Sequence, residues 1–148
     1  MPILGQPKLT KSMLSILRKR LDRIDYDRIL GIESRGFLIG QALALEVEKP
    51  FVPLRKKGKL PGDIFRVEYS LEYGQDMLEV QKDALPRGSK CLIVDDLIAT
   101  GGSMEAAMKL VHQSDCIVAG FACIIELKSL NARALKLGNH DVITLFQY

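Results

Sequence analysis

The sequence predicts an α/β fold in which one domain, residues 1–148, holds a parallel sheet flanked by helices. Apolar runs of strand length alternate along the chain with segments of helical period, the order that a parallel sheet requires. A length of 148 residues and a hydrophobic content of 47% suit one domain with its own core. Two alternating segments near the middle break this order, and they predict a flexible antiparallel flap over about residues 56–82.

The first elements read as a helix followed by half of a β-α-β crossover. Leucine and methionine recur every three or four positions over residues 7–21, and Pro7 suits the first turn of a helix. Residues 27–32 then have the composition of a strand. Residues 33–36 form the turn into a second helix, whose apolar residues span 37–47.

The next strand and the flap follow a helix-breaking Lys-Pro pair. Residues 51–54 predict a strand, in which Pro53 indicates an edge position or irregular pairing. Residues 64–71 and 77–80 alternate between apolar and polar side chains, and glycines punctuate the region around them. We therefore expect an antiparallel hairpin that stands off the main sheet.

The second half of the chain resumes the α/β order. A short apolar run at residues 92–94 predicts a buried strand, and residues 105–111 return to helical period. Residues 116–127 supply a long apolar strand. We expect a short helix over residues 129–138, capped by its first serine, and a last strand at residues 142–146.

Two adjacent carboxylates, Asp95 and Asp96, stand at the carboxyl end of the strand 92–94, where open α/β sheets bind ligands. A loop of small residues follows and opens the helix. Glycines let the backbone approach an anion, hydroxyls can donate to it, and the unpaired N–H groups at a helix start carry partial positive charge. The loop consists of Ala99, Thr100, Gly101, Gly102 and Ser103.

The carboxylates exclude a simple anion site, because they would repel a phosphate unless they face something else. Carboxylates accept hydrogen bonds from vicinal sugar hydroxyls, and hydrated Mg²⁺ bridges a carboxylate and a phosphate. A ribose phosphate satisfies both halves of the motif. An ordinary strand-to-helix connection with a capping aspartate is the alternative, and a receiver-like phospho-acceptor domain would leave the loop unexplained.

The complete motif resembles the signature of the type I phosphoribosyltransferase family. The resemblance implies that Asp95 and Asp96 hold the ribose hydroxyls of phosphoribosyl pyrophosphate and that the loop 99–103 holds its 5′-phosphate. Further motifs are similar to those of the adenine-specific branch of the family. They lie at residues 33–37, 55–62, 69–74 and 81–84.

The resemblance implies purine salvage: a phosphoribosyl group passes from pyrophosphate to N9 of adenine and gives AMP. It also implies Mg²⁺, held mainly through substrate oxygens with no protein ligand assigned, and a homodimer. No membrane-length apolar stretch or signal peptide is evident, and the three cysteines lie in apolar runs as reduced core residues, so we expect a cytoplasmic protein. A structural zinc site is not expected.

The resemblance assigns the binding of pyrophosphate to two segments of the chain. The resemblance implies that the turn at Glu33, Ser34 and Arg35 binds it, often through a strained peptide bond near Glu33-Ser34, and that Lys56 and Lys59 add charge and can reach a neighbouring subunit. A surface ion pair between Glu33 and Arg35 and a solvated basic loop are the alternatives. The net charge is only +3 and no aromatic residue interrupts the basic segment, so a small polyanion suits it at least as well as nucleic acid.

Three further residues are assigned by resemblance alone. Glu72 is implied as the catalytic carboxylate, Tyr73 as a residue that orients the flap or stacks, and Leu127 as a residue that packs against adenine. A carboxylate over the site can manage the purine's proton and favour a cation-like sugar. A solvated charge is the alternative for Glu72, and core packing is the alternative for Leu127.

One departure from the family is expected at the N-terminus. The adenine-specific branch carries an upstream hood that stacks on adenine, and the printed sequence starts at a segment similar to the one just after the hood motif. Loss of that stacking would weaken adenine binding roughly ten- to a hundredfold. The alternative function is therefore a non-catalytic binder or regulator that keeps affinity for phosphoribosyl pyrophosphate or AMP.

Overall fold

A computed structural model describes residues 2–71 and 74–148. The helices are α1 (Pro7–Leu21), α2 (Arg35–Val47) and α3 (Gly102–Gln113). The strands are β1 (Arg28–Ile32), β2 (Phe51–Lys56), β3 (Ile64–Ser70), β4 (Gln75–Gln81), β5 (Lys90–Ile98), β6 (Ile117–Glu126) and β7 (Val142–Gln147). Within the described residues they form a seven-stranded sheet in the order β3-β4-β2-β1-β5-β6-β7.

Five neighbouring strands of the sheet, in the order β2-β1-β5-β6-β7, are parallel, and helices cover both faces. β1 pairs in parallel with β2 and β5, and β6 continues the parallel ladder to β7. Alternate residues of β5 enter different cores: Leu92 and Val94 pack with α1 and α2, whereas Cys91 and Ile93 pack with α3. The predicted α/β class is confirmed.

The antiparallel hairpin of β3 and β4 is confirmed as an element but not in its predicted position. β4 pairs with β2 at Arg55↔Glu79 and Lys56↔Leu78, so the hairpin continues the sheet. Val67 and Val80 are buried in the core that α3 covers. The expectation that it stands off the sheet is wrong, because one face of the hairpin is apolar and needs that cover.

Pairing around β2 is irregular, as Pro53 indicates. β2 pairs with β1 from Phe51 to Leu54, but its pairing with β4 begins only at Arg55. Proline has no backbone N–H to donate, and Pro53 lies in the part of β2 that pairs in register with β1 but not yet with β4.

The segment after β6 is not the single capped helix that the pattern predicts. It consists of a 3₁₀ turn, Lys128–Leu130, and one π-helical turn, Arg133–Leu137. Asn131 has a φ of 51°, which ends the first turn, and Ser129 lies inside that turn instead of capping a helix.

The three cysteines are buried, as predicted for reduced core residues. Burial raises the pKa of the Cys91 thiol to about 12, which keeps it protonated at neutral pH. No helix within residues 2–71 and 74–148 has both the length and the apolar character needed to cross a membrane.

Candidate active site

A cleft of about 570 Å³ lies beside the carboxyl ends of β1 and β5. It brings together residues that the sequence assigns to three separate segments: Glu33, Ser34, Arg35, Lys56, Lys59, Asp95, Asp96, Ala99, Thr100, Gly101, Gly102 and Ser103. The cleft is also lined by residues without a predicted role, namely Ile32, Tyr69, Ser70, Leu71 and Leu97. Proximity in the fold thus joins motifs that are distant in sequence.

Asp95 and Asp96 lie within β5 and not at its end. The ladder from β1 stops at Gly31↔Val94, whereas the ladder to β6 continues to Ile98↔Glu126. The expectation that the strand ends at the carboxylates is therefore corrected. The strand carries them past its β1 neighbour, where one edge of β5 is open to a ligand.

The two carboxylates have different surroundings. Asp96 is buried, with 7% of its surface exposed, and its carboxylate lies 3.0 Å from Nε of Arg35. The Asp96 N–H donates to Oδ1 of Asp95 at 2.8 Å. Burial raises the pKa of Asp95 to about 7, and the neighbouring Asp96 charge acts in the same direction. Asp95 therefore changes its charge near neutral pH.

Gly36 allows α2 to begin directly against β5. A Cβ at this position would lie 2.7 Å from the carbonyl oxygen of Val94 and 3.1 Å from Oδ1 of Asp95. This close approach brings Arg35 to Asp96. The peptide bond between Glu33 and Ser34 is cis, at the position where the family resemblance implies a strained peptide bond.

Gly36→Ala is expected to cost about 1–3 kcal/mol of stability, because the added methyl meets backbone that cannot yield like a flexible side chain. Any shift would also move Asp95, so we expect turnover in the reaction that the family resemblance implies to fall at least tenfold. Urea unfolding and steady-state kinetics measure the two effects. Gly5→Ala is the matched control, because a Cβ at Gly5 meets nothing within 4 Å. Equal stability of the two variants would contradict the packing argument.

Glu33 organises the basic segment and does not pair with Arg35. Its carboxylate accepts the Lys56 N–H at 2.7 Å, lies 3.4 Å from Nε of Arg55 and forms an ion pair with Lys59. Burial opposes its ionisation, but the Lys59, Lys56 and Arg55 donors outweigh burial and lower the pKa of Glu33 to about 2. Arg35 pairs with Asp96 instead.

A second buried carboxylate, Glu79, holds the same segment from β4. Its side chain is fully buried, accepts the Gly58 N–H at 2.9 Å and lies 2.7 Å from Nε of Arg66. Glu79 sits opposite Arg55 in the β2–β4 register. The basic segment between β2 and β3 is thus fixed by carboxylates on two sides, which keeps Lys56 and Lys59 at the cleft.

The small-residue loop has the geometry of an anion cradle. Gly101 has a φ of 82°, a conformation that favours glycine, and it precedes the first residue of α3. The start of α3 has no side-chain cap, so its first N–H groups remain available to a ligand. A Cβ at Gly102 would lie 3.1 Å from the carbonyl oxygen of Ser70, which shows how closely the hairpin approaches the loop.

The structure does not bring every predicted residue to the cleft. Leu127 lies just after β6, where its N–H donates to the carbonyl of Ile98 at 2.9 Å, and it does not line the cleft. Glu72 and Tyr73 lie outside the described residues. Sequence reasoning missed Tyr69 as a cleft residue, although the alternation from Val67 places it on the inner face of the flap.

The model of the phosphoribosyl transferase domain family matches residues 5–144. An adenine phosphoribosyltransferase of Trichodesmium erythraeum is 46% identical over 135 residues, which are 91% of this chain and 79% of that relative. The crystal structure of an adenine phosphoribosyltransferase from Thermoanaerobacter pseudethanolicus is similar with a TM-score of 0.95 and 42% identity, covering 99% of this chain and 85% of its own. One from Trypanosoma brucei, solved in complex with AMP, pyrophosphate and ribose-5-phosphate, has a TM-score of 0.86 and 32% identity, covering 98% of this chain and 67% of its own.

Proposed function

The chain belongs to the phosphoribosyl transferase domain family, and from this premise we propose that it makes AMP and pyrophosphate from adenine and phosphoribosyl pyrophosphate. The observation that carries the proposal is its similarity to adenine phosphoribosyltransferases over most of their length. That coverage favours a pentosyltransferase of purine salvage over a binder without turnover. We place the reaction in the cytoplasm, where buried thiols such as Cys91 stay reduced.

The cleft divides phosphoribosyl pyrophosphate among three sets of donors and acceptors. The N–H groups at the start of α3, with the hydroxyls of Thr100 and Ser103, bind the 5′-phosphate. Asp95 and Asp96 accept hydrogen bonds from the ribose hydroxyls. Arg35 lies beside Asp96 and donates to pyrophosphate together with Lys56 and Lys59, which line the same cleft. Ser34, in the same turn, presents its backbone to that diphosphate.

The reaction exchanges one bond at the anomeric carbon of ribose. The bond from that carbon to the pyrophosphate oxygen breaks, the bond to N9 of adenine forms, and N9 loses a proton. The basic side chains stabilise the departing diphosphate because they already lie at the cleft and need little reorganisation. Glu72 accepts the purine proton, and Leu127, which follows β6 and lies outside the lining of the cleft, packs against adenine beyond it. Both assignments rest on the family resemblance.

Magnesium fits this cleft as a partner of the substrate. Within the described residues, no group of three or more histidine, cysteine, aspartate or glutamate side chains could hold a metal ion. The adjacent carboxylates of Asp95 and Asp96 suit a hydrated ion that keeps most of its water and binds through substrate oxygens. When bound, Mg²⁺ neutralises charge on the diphosphate.

We also propose that two copies of the chain form a homodimer through α2. Leu38 and Leu45 on this helix are 56% and 71% exposed, and they lie beside Phe37 and Phe51 in an apolar groove. Exposed apolar patches of this kind mark protein interfaces. Sedimentation equilibrium measures the state of association, and a monomer at micromolar concentration would contradict this proposal.

The reaction is tested by incubating the purified chain with adenine, phosphoribosyl pyrophosphate and Mg²⁺. We expect AMP and pyrophosphate in equal amounts, no AMP without adenine, and no AMP with excess EDTA. Absence of AMP at saturating substrates would overturn the proposed reaction. Calorimetry with phosphoribosyl pyrophosphate on the same sample would then separate a binder without turnover from a chain that does not bind.

A further inference from the structure

Two residues of the β3–β4 hairpin hold the side chain of Lys56, the last residue of β2, and neither of them has an assigned role. Its ammonium nitrogen lies 2.5 Å from the hydroxyl of Tyr69 and forms an ion pair with Asp76. The same nitrogen is 5.2 Å from the centre of the Tyr69 ring. Tyr69 and Asp76 are directly opposite each other in the register of β3 and β4. The hairpin thus presents a hydroxyl and a carboxylate to one lysine of β2.

The three residues Lys56, Tyr69 and Asp76 differ in whether they face the cleft. Lys56 and Tyr69 line the cleft, whereas Asp76 does not. An ammonium group has three N–H donors, and the hydroxyl and the carboxylate use two of them. One donor of Lys56 therefore remains for a ligand in the cleft, while the carboxylate lies outside it.

The surroundings keep the lysine charged. Burial disfavours its cation, but the hydrogen bonds to Asp76 and Tyr69 outweigh burial and raise the pKa of Lys56. In the same way, burial opposes the charge on Asp76, but Lys56 lowers the pKa of that carboxyl group. The pair is therefore fully ionised at neutral pH, and only about a quarter to a third of either side chain is exposed (26% and 30%).

We propose that Asp76 is a positioning residue for the diphosphate, acting through Lys56. This inference rests on the proposed function, because the diphosphate of phosphoribosyl pyrophosphate is the ligand that Lys56 would meet. A free lysine has four rotatable bonds and loses that freedom when it binds a ligand, whereas a lysine already held loses less. The negative charge of Asp76 acts in the opposite direction, because it would repel a diphosphate bound to the same ammonium group. The inference is that positioning outweighs this repulsion, and the direction in which Asp76→Asn changes the affinity tests it.

Calorimetry with inorganic pyrophosphate and Mg²⁺ tests this role without turnover. Asp76→Asn is expected to weaken pyrophosphate binding about three- to tenfold. In steady-state assays it should raise KM for phosphoribosyl pyrophosphate and leave kcat within about twofold. Glu68→Gln is the matched control, because it removes the same charge from an exposed residue of the same hairpin and should leave binding unchanged.

A double-mutant cycle separates positioning from a general effect on the fold. In a Lys56→Met background, Asp76→Asn should have no further effect on pyrophosphate binding. The same weakening in both backgrounds, or unchanged or tighter binding in Asp76→Asn alone, would overturn the inference. The pair Asp76→Glu and Asp76→Gln, equal in length and different in charge, repeats the test if Asp76→Asn does not fold.

Pyrophosphate binding by the unsubstituted chain distinguishes failure of the proposed diphosphate site from failure of the role of Asp76. If that chain does not bind pyrophosphate, the proposed diphosphate site fails and the inference fails with it. If that chain binds pyrophosphate and Asp76→Asn binds it equally well, only the role of Asp76 fails.

Discussion

Asp95→Asn is expected to lower kcat/KM for phosphoribosyl pyrophosphate about a hundredfold while making the folded chain more stable above pH 7. The loss applies at pH 8, where Asp95 is ionised, and it follows from the proposed contact with ribose, since a hydrogen bond to a charged group contributes about 1.5–3 kcal/mol. Asparagine offers one weaker acceptor and adds donors that the ribose hydroxyls do not need. Steady-state kinetics at saturating adenine measures the loss, and unchanged kcat/KM would contradict the ribose assignment.

The gain in stability follows from the direction in which burial shifts the pKa of Asp95. The folded chain holds this proton up to a pKa of about 7, whereas the ordinary value is 3.8. Between these values the folded state binds more protons than the unfolded state, so stability falls as the pH rises through this window. The loss of stability from ionising Asp95 is no more than about 4 kcal/mol, from about 1.4 kcal/mol per pKa unit, and the partial exposure of Asp95 to solvent reduces it.

Urea unfolding at pH 5 and at pH 8 measures this effect. The unsubstituted chain should lose stability between the two values, and Asp95→Asn should remove most of that loss. Glu33 does not affect the comparison of pH 5 with pH 8. Its pKa is lowered to about 2, so its contribution to the stability of the folded chain is lost only as the pH falls below about 4.5. Asp63→Asn is the control at an exposed position, and an equal pH response in the Asp63 and Asp95 variants would contradict the argument.

Local patterns predict the parts of the fold that depend on neighbouring residues. The spacing of leucines places the first helix at residues 7–21, and the structure has α1 at Pro7–Leu21. The small-residue loop likewise leads into α3, whose first two residues are Gly102 and Ser103 of that loop, because glycine conformations and helix starts are local properties. The same is true of the alternation in the hairpin, which predicts β3 and β4 but not the strand that β4 joins.

The features that sequence patterns miss depend on pairing across the sheet. The reach of β5 to Ile98 depends on its ladder with β6, and nothing in residues 95–98 themselves indicates it. The Lys56–Asp76 pair likewise requires the register of the hairpin and its junction with β2. Glu33 shows the same limit, because its partners Arg55 and Lys59 come from a neighbouring strand and loop. Motifs therefore identify the chemical groups of this site, and the sheet decides which groups pair.

Glu72→Gln is expected to lower kcat by a factor of about 10²–10⁴, the range for loss of a general acid or base. The assignment of Glu72 comes from the family resemblance. Of the described residues beside it, Leu71 lines the cleft, and its N–H donates to the carbonyl of Gly74 at 2.9 Å. Glutamine keeps the size of the side chain but cannot accept the N9 proton. Binding of phosphoribosyl pyrophosphate should stay within about twofold, because the groups assigned to it remain in place.

The reverse reaction provides the sharper test of Glu72. A general base for adenine in one direction is the general acid for AMP in the other, so Glu72→Gln must slow AMP cleavage by pyrophosphate by a similar factor. Glu68→Gln, which removes an exposed carboxylate from β3, should leave both rates unchanged. A loss confined to substrate affinity would assign Glu72 to binding instead of proton transfer. Equal losses of kcat in both directions with intact binding would establish it as the group that carries the purine proton.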